Sequence, residues 1–253
     1  MRRGGRTAKL KGAARSALRA LALLPLALLL PGPATAQQPC RLALALALDV
    51  SSSVDAREYA LQRDGLAAAL DDPDIRRVIL NGAGPVALTV YEWSGRYQQH
   101  QVLPWVLLSE AGDIDAAVAR IGAARRAYTG YPTAIGYALG HGAGLLAAAP
   151  ACDRQVIDLS GDGIGNEGFG PPLAYRHFPF AGVTVNGLAV TEGGADSEVV
   201  AYYLSQLRHG PGAFVEVARG YADFRRAMTL KLFREMNDLR LGDGATGSGR
   251  CCG

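Results

Sequence analysis

The chain has 253 residues, 49% of them hydrophobic, with 26 Lys and Arg against 23 Asp and Glu. Seven of those bases (Arg2, Arg3, Arg6, Lys9, Lys11, Arg15, Arg19) fall within residues 1–36, where there is no acid, so residues 37–253 carry 19 bases against 23 acids, a net charge of −4. That sign removes the electrostatic case for nucleic acid binding, and a 217-residue remainder without repeats or a Pro/Ser-rich linker fits one domain.

The basic segment runs into the apolar stretch Ala20 to Leu30 and then Ala34-Thr-Ala36. Charge, short apolar run and small-residue cleavage site in that order describe a secretory signal peptide over residues 1–36, too short in its apolar part to span a bilayer. Export to the periplasm, cell envelope or medium of a bacterium follows. Arginine supplies nearly all later cations, Lys231 being the single lysine after Lys11, a composition typical of GC-rich bacterial coding.

Leu42 to Leu48 is a continuous apolar run that reads as a strand buried on both faces, and it runs straight into Asp49-Val-Ser51-Ser-Ser53. Near-extended backbone repeats its side-chain direction every second residue, so Asp49, Ser51 and Ser53 converge just past the strand end. An amphipathic helix is expected over Val54 to Leu70, stopped by Asp71-Asp-Pro73, then a helical turn over Ile75 to Leu80. Val86 to Trp93 is β-branched and aromatic. Ser94-Gly95 turns it into Gln99 to Leu107, an antiparallel edge strand where Pro104 is tolerable. A helix over Asp113 to Ala124 and the loop Tyr128 to Thr133 lead to a helix over Ala134 to Ala148. Strands at Gln155 to Ser160, Val183 to Val190 and Ala213 to Val217 follow, with helical stretches at Ser197 to Arg208 and Tyr221 to Arg240, and a Gly-rich tail over 241–253. The alternation predicts an α/β fold, a doubly wound, mostly parallel six-stranded sheet in the order 3-2-1-4-5-6 with one antiparallel edge strand and helices on both faces. Its ligand crevice lies where the order reverses, between the first and fourth strands.

Strand four ends in Ser160-Gly-Asp162, which brings a second carboxylate to that point, and Pro132-Thr133 delivers a hydroxyl from the loop before a helix. Two carboxylates and three hydroxyls, with no Cys or His among them, form an oxygen shell suited to Mg²⁺ or Mn²⁺. Asp49, Ser51, Ser53, Thr133 and Asp162 together resemble the metal-ion-dependent adhesion site (MIDAS) of von Willebrand factor type A (vWA) domains. The remainder of residues 37–240, including Tyr59-x-x-Gln62, Glu92-Trp93-Ser94-Gly95, Asn186-Gly-Leu188 and Gly212-Ala-Phe214, is similar to a bacterial exported branch of that superfamily described only as a domain of unknown function. The resemblance implies that Ser51 and Ser53 bind the cation directly, that Thr133 does so in a state-dependent way, that Asp49 and Asp162 balance charge, and that an open position takes an acidic group from a partner. Capping of the helix that follows is the lesser alternative for Ser51 and Ser53.

Further candidates are Asp158, an acid inside a buried strand that would hydrogen-bond the Thr133 loop behind the ion or else a neighbouring backbone group; Glu92 and Trp93 at the neighbouring strand end; and Asn166 and Glu167 in the glycine-rich loop Gly163 to Gly170. His100, His141, His177 and His209 show no metal spacing. Cys40 lies nine residues before Asp49 and Cys152 ten before Asp162, so parallel neighbouring strands set the two sulfurs level, and a Cys40–Cys152 disulfide is expected in an exported chain. Cys251 and Cys252 fall in the tail. The leading functional reading is a non-enzymatic, Mg²⁺-dependent binding module for a protein or other ligand presenting a carboxylate. A metal-dependent hydrolase is the rival, although aspartate-nucleophile phosphatases need Asp-x-Asp where this chain has Ser51; a structural or assembly subunit with a structural metal is the third reading.

Overall fold

The computed structural model describes residues 39–237. The expected leader, the Gly-rich tail, and Cys251 and Cys252 lie outside the described residues. Six strands, β1 (Leu42–Asp49), β2 (Val86–Trp93), β3 (Gln99–Leu108), β4 (Gln155–Gly161), β5 (Val183–Val190) and β6 (Val215–Ala218), form one sheet in the order β3-β2-β1-β4-β5-β6. Every pairing is parallel except β2 with β3. The β2–β3 register shifts opposite Leu88 to Val90, and Pro104 falls in the gap, so the residue that cannot donate to the ladder sits where the ladder is broken.

The alternating Leu-Ala sequence of β1 explains the two layers. Leu42, Leu44, Leu46 and Leu48 join the core beneath α1 (Ala56–Leu70), α2 (Pro73–Leu80), α3 (Ala111–Gly122) and α7 (Phe224–Met236). Ala43, Ala45 and Ala47 face the other layer, α4 (Ile135–Ala147), α5 (Pro171–His177) and α6 (Glu198–Tyr202). Small residues there admit close helix approach: a methyl added at Gly142 of α4 would come within 2.9 Å of Ile157 on β4.

Several boundaries differ from the sequence expectation, each for a local reason. Helix α1 begins at Ala56 rather than Val54, because Asp55 is its N-cap: Asp55 Oδ1 accepts from Glu58 N at 2.8 Å and Glu58 Oε2 from Asp55 N at 2.8 Å. The serines before it are thereby released from capping. Helix α3 begins two residues early, since Asp113 Oδ2 accepts from the backbone N–H groups of Ser109 and Glu110. Helix α5 is not among the expected elements; it opens on Pro171 and Pro172, proline suiting the first helical position. The stretch expected as one helix over Ser197 to Arg208 is α6 followed by a wide π-helical turn over Tyr203–Leu207. That turn drives Tyr203 onto β5, where a methyl at Gly187 would lie 2.6 Å from its ring.

The expected disulfide is present. Cys40 and Cys152 flank β1 and β4 as an isolated parallel bridge and are bonded across a sequence separation of 112.

Candidate metal centre

The β1–β4 register sets Leu48 level with Ser160, so Asp49 stands beside Gly161 and the next residue along is Asp162. Gly161 is required by that proximity: a Cβ there would be 2.7 Å from Asp49 Oδ2 and 2.8 Å from the Tyr203 hydroxyl. Past the end of β1 the chain folds over Asp49, with Ser51 N donating to Asp49 Oδ1 at 2.7 Å. Ser51 Oγ and Ser53 Oγ are 3.1 Å apart, and Ser53 Oγ donates to Asp162 Oδ1 at 2.7 Å. Thr133 closes the group, its Oγ1 lying 3.9 Å from where a Cβ of Gly163 would stand. The structure thus brings Asp49, Ser51, Ser53, Thr133 and Asp162 to one place.

Burial and like charge govern the electrostatics of the group. Asp49 and Ser51 are wholly buried, and Asp49 Oδ2 has no hydrogen-bond partner. Burial first, then the Asp162 carboxylate, push the Asp49 pKa up to about 7, against the Ser51 hydrogen bond and the charge of Arg126. The Tyr203 hydroxyl is also buried without a partner, and burial, then Asp49 and Asp162, hold its proton well above the ordinary phenol range. An orphaned carboxylate oxygen beside a second carboxylate and two hydroxyls is a donor set that fits a hard divalent cation. Among the described residues no group of three or more His, Cys, Asp and Glu side chains is placed to hold a metal, so an ion here would depend on the hydroxyls.

Supporting residues hold the loops. Arg126 donates to the carbonyls of Val50, Ser51, Val54 and Tyr128, fastening the Asp49–Ser53 turn to the loop that leads to Thr133. Gln62 Nε2 donates to Asp49 O at 2.9 Å. Asn166 Oδ1 accepts from Thr133 N at 2.9 Å while its own N–H donates to Thr133 O at 3.0 Å, a reciprocal clasp on the threonine backbone. Glu167 pairs with Arg96 at 3.1 Å on the β2–β3 turn. Arg126 gave no signal in the sequence, since one arginine in an irregular loop has no period and its role lies in carbonyls from three segments.

Of the remaining candidates Trp93 stands level with Asp49 in the β1–β2 ladder, its carbonyl accepting from Val50 N at 2.9 Å. Glu92 and Trp93 are buried rather than on an exposed rim; Glu92 accepts from the Tyr59 hydroxyl at 2.7 Å and from Ala127 N at 2.8 Å, linking α1 to the Arg126 loop. Asp158 does not reach the Thr133 loop. It sits in mid-strand, two residues before Ser160 of β4, and turns toward α7, 2.9 Å from Lys231 Nζ.

The family model described as "Protein of unknown function (DUF1194)" matches residues 39–240. No curated protein matches the chain. Among solved structures, proximal thread matrix protein 1 from the mussel byssus, with a zinc-occupied MIDAS motif, aligns at a TM-score of 0.54 with 18% identity over 78% of this chain and 48% of that one. A von Willebrand factor type A protein from Catenulispora acidiphila aligns at 0.52, 16% identical over 78% and 43%. The PilB minor pilin from Streptococcus sanguinis aligns at 0.56, 12% identical over 83% and 64%. The chain spans about half the length of the first of these, and the likeness establishes the vWA fold.

Proposed function

We propose that this chain, which belongs to the DUF1194 family, is an exported binding module that holds a divalent cation, Mg²⁺ or Mn²⁺, at Asp49, Ser51, Ser53, Thr133 and Asp162 and uses it to capture a carboxylate on a partner. The observation that carries this reading is the unpartnered Asp49 Oδ2, buried beside Asp162, Ser51 and Ser53. Two carboxylates neutralise a divalent ion and three neutral hydroxyls leave it electrophilic, so a further anionic oxygen is favoured. Bound, the cation supplies that electrophilic point; Arg126 and Asn166 hold the loops that present the ligands to it. Tyr131 and Ile164, adjoining Thr133 and Asp162 in the chain, are 40% and 37% exposed and give the ligand apolar surface beside the ion.

Binding rather than an aspartate-nucleophile phosphatase chemistry is supported by Ser51, which stands two residues after Asp49 where that chemistry needs a second Asp. The mussel protein's zinc-occupied MIDAS supports metal occupancy at the equivalent fold position. Export rests on the leader over residues 1–36, followed by the vWA-like domain over 37–240 and the tail over 241–253. The Cys40–Cys152 bridge supports an oxidising compartment, the periplasm or the cell exterior. Among the described residues no helix is long and apolar enough to cross a membrane.

The test is a calorimetric titration of Mg²⁺ and Mn²⁺ into chelator-stripped protein, then a pull-down from the envelope fraction with and without the ion. Saturable binding lost in Asp49→Ala, with ion-dependent capture of a partner, is expected. Saturable binding without ion-dependent capture would favour a purely structural metal, and no binding of either ion would remove the site.

A further inference from the structure

Between β4, β5 and α7 lies a second charged group that the cation chemistry does not use. Lys231 and Asp158 have fully buried side chains, and Glu235 and Asn186 are 2% exposed. Lys231 Nζ is 2.9 Å from Asp158 Oδ1 and 2.8 Å from Glu235 Oε1. Asn186 Nδ2 donates to that same Glu235 oxygen at 2.7 Å, and Asn186 Oδ1 accepts from Phe214 N at 3.0 Å. The Phe214 ring lies 4.5 Å from Lys231 Nζ and screens it from solvent together with the strands. Apart from the Lys231 amine and the neighbouring Glu235 carboxyl, the Asp158 oxygens have no hydrogen-bond partner.

An amine in contact with a carboxyl, with a second carboxyl on the amine, an aromatic ring beside it and no access to solvent, is a reactive arrangement. Charges are costly in such a place, whereas the neutral amide that amine and acid form is not. Holding the two groups in contact replaces an encounter in solution by an effective concentration of about 10⁵–10⁸ M. The residue type also fits: every other cation after Lys11 is arginine, which keeps its proton and is no nucleophile, and the single lysine stands here.

We propose that Lys231 and Asp158 become joined by an intramolecular isopeptide bond, Lys231 Nζ to Asp158 Cγ, with Glu235 as the proton carrier. Glu235 takes one proton from the Lys231 ammonium and passes it to an Asp158 oxygen. The amine then attacks Cγ; a second proton leaves nitrogen through Glu235 to the Asp158 hydroxyl, the Cγ–O bond breaks, and one water departs. Ammonium plus carboxylate become amide plus water, with no oxidant or cofactor. Burial, then the Glu235 carboxylate, raise the proton affinity of Asp158, which favours the acid form that is attacked. The bond fixes the last helix to the middle of the sheet.

The test is a tryptic digest of the purified, reduced and alkylated full-length protein. The linked form gives the peptide Gln155 to Arg176 joined to Ala227 to Arg234, lighter than the two together by one water and uncut after Lys231. Glu235→Gln should slow its appearance about 100-fold or more, and Lys231→Arg should abolish it. Recovery of Ala227 to Lys231 as a free peptide in full yield from folded wild type would overturn the proposal without any variant. A linked peptide lighter by ammonia and mapping to Asn186 would overturn the assignment of Asp158 as acceptor.

Discussion

Where β1 and β4 begin, the sheet is fastened: Cys40 is bonded to Cys152, and the Arg41 guanidinium donates to the carbonyls of Gly84, Val78 and Met236, the latter two in the last turns of α2 and α7. Where the same strands finish, Asp49 keeps an oxygen unpaired, Tyr203 a hydroxyl unpaired, and two carboxylates stand together. One end satisfies its polar groups within the chain, and the other leaves Asp49 Oδ2 and the Tyr203 hydroxyl without partners. A rigid far end lets the near end carry uncompensated charge without losing the register that brings Asp49 beside Asp162, so on the proposed function stability and binding chemistry occupy opposite ends of the same two strands.

The strongest way to break the contrast is at the fastened end. Replacing Cys40 and Cys152 by serine releases a loop of 112 residues, and chain entropy sets the loss at up to about 4.7 kcal/mol. Chemical denaturation should show the midpoint falling with metal affinity at 25 °C unchanged. A matching loss of affinity would mean that the two ends are not independent. Arg41→Ala comes next: three carbonyls, partly buried, lose a charged donor, and the expected cost is about 3 kcal/mol. Its effect should appear in both chelator and Mg²⁺.

At the open end the expected change has the opposite sign. Saturation with Mg²⁺ or Mn²⁺ at about 100 times the dissociation constant should add about 2.7 kcal/mol, read as a rise in melting temperature relative to chelator. Asp49→Asn removes one of the two facing carboxylates, so the metal-free protein should melt higher than wild type and lose its response to the ion. A wild-type melt that is the same in chelator and in either ion would mean that this end is satisfied as it stands.

Much of this contrast was legible in the sequence because strong, short-range signals carry it. The Leu42 to Leu48 run sets where β1 ends, Ser160-Gly-Asp162 sets where β4 ends, and counting back from each reaches Cys40 and Cys152. What was not legible depends on partners distant in the chain. Asp55 took the cap role that Ser51 and Ser53 had been weighed for, because Glu58 answers it. Asp158 faced α7 rather than Thr133, since the period-2 alternation that gives Ile157 and Leu159 one face gives Asp158 the other, and only the position of Lys231 says what waits there. Arg126, Tyr203 and the reciprocal bond between Asn166 and Thr133 belong to loops and a widened helical turn, where no period exists to be read.

Thr133→Ala gives the smallest expected change in folding and is the sharpest probe of the open end. The backbone of Thr133 is held by Asn166 from both sides, N–H and carbonyl alike, and Glu167 N adds a further bond to the carbonyl at 3.3 Å. These bonds survive the substitution, so the loop keeps its place, and the cost in chelator is about 1 kcal/mol. The residue is 5% exposed, and the substitution removes its γ-methyl together with the hydroxyl, which lies beside Gly163. If it serves the ion, the dissociation constant for Mg²⁺ should rise about tenfold, equivalent to about 1.4 kcal/mol, and the stabilisation at fixed metal should shrink by the same amount. Calorimetry and melting in chelator separate the two quantities. A melting temperature lowered equally in chelator and in Mg²⁺, with affinity unchanged, would make the threonine γ-methyl part of the packing and its hydroxyl no part of the site, and Thr133→Ser, which keeps the hydroxyl and drops the methyl, should then fail to restore what Thr133→Ala lost.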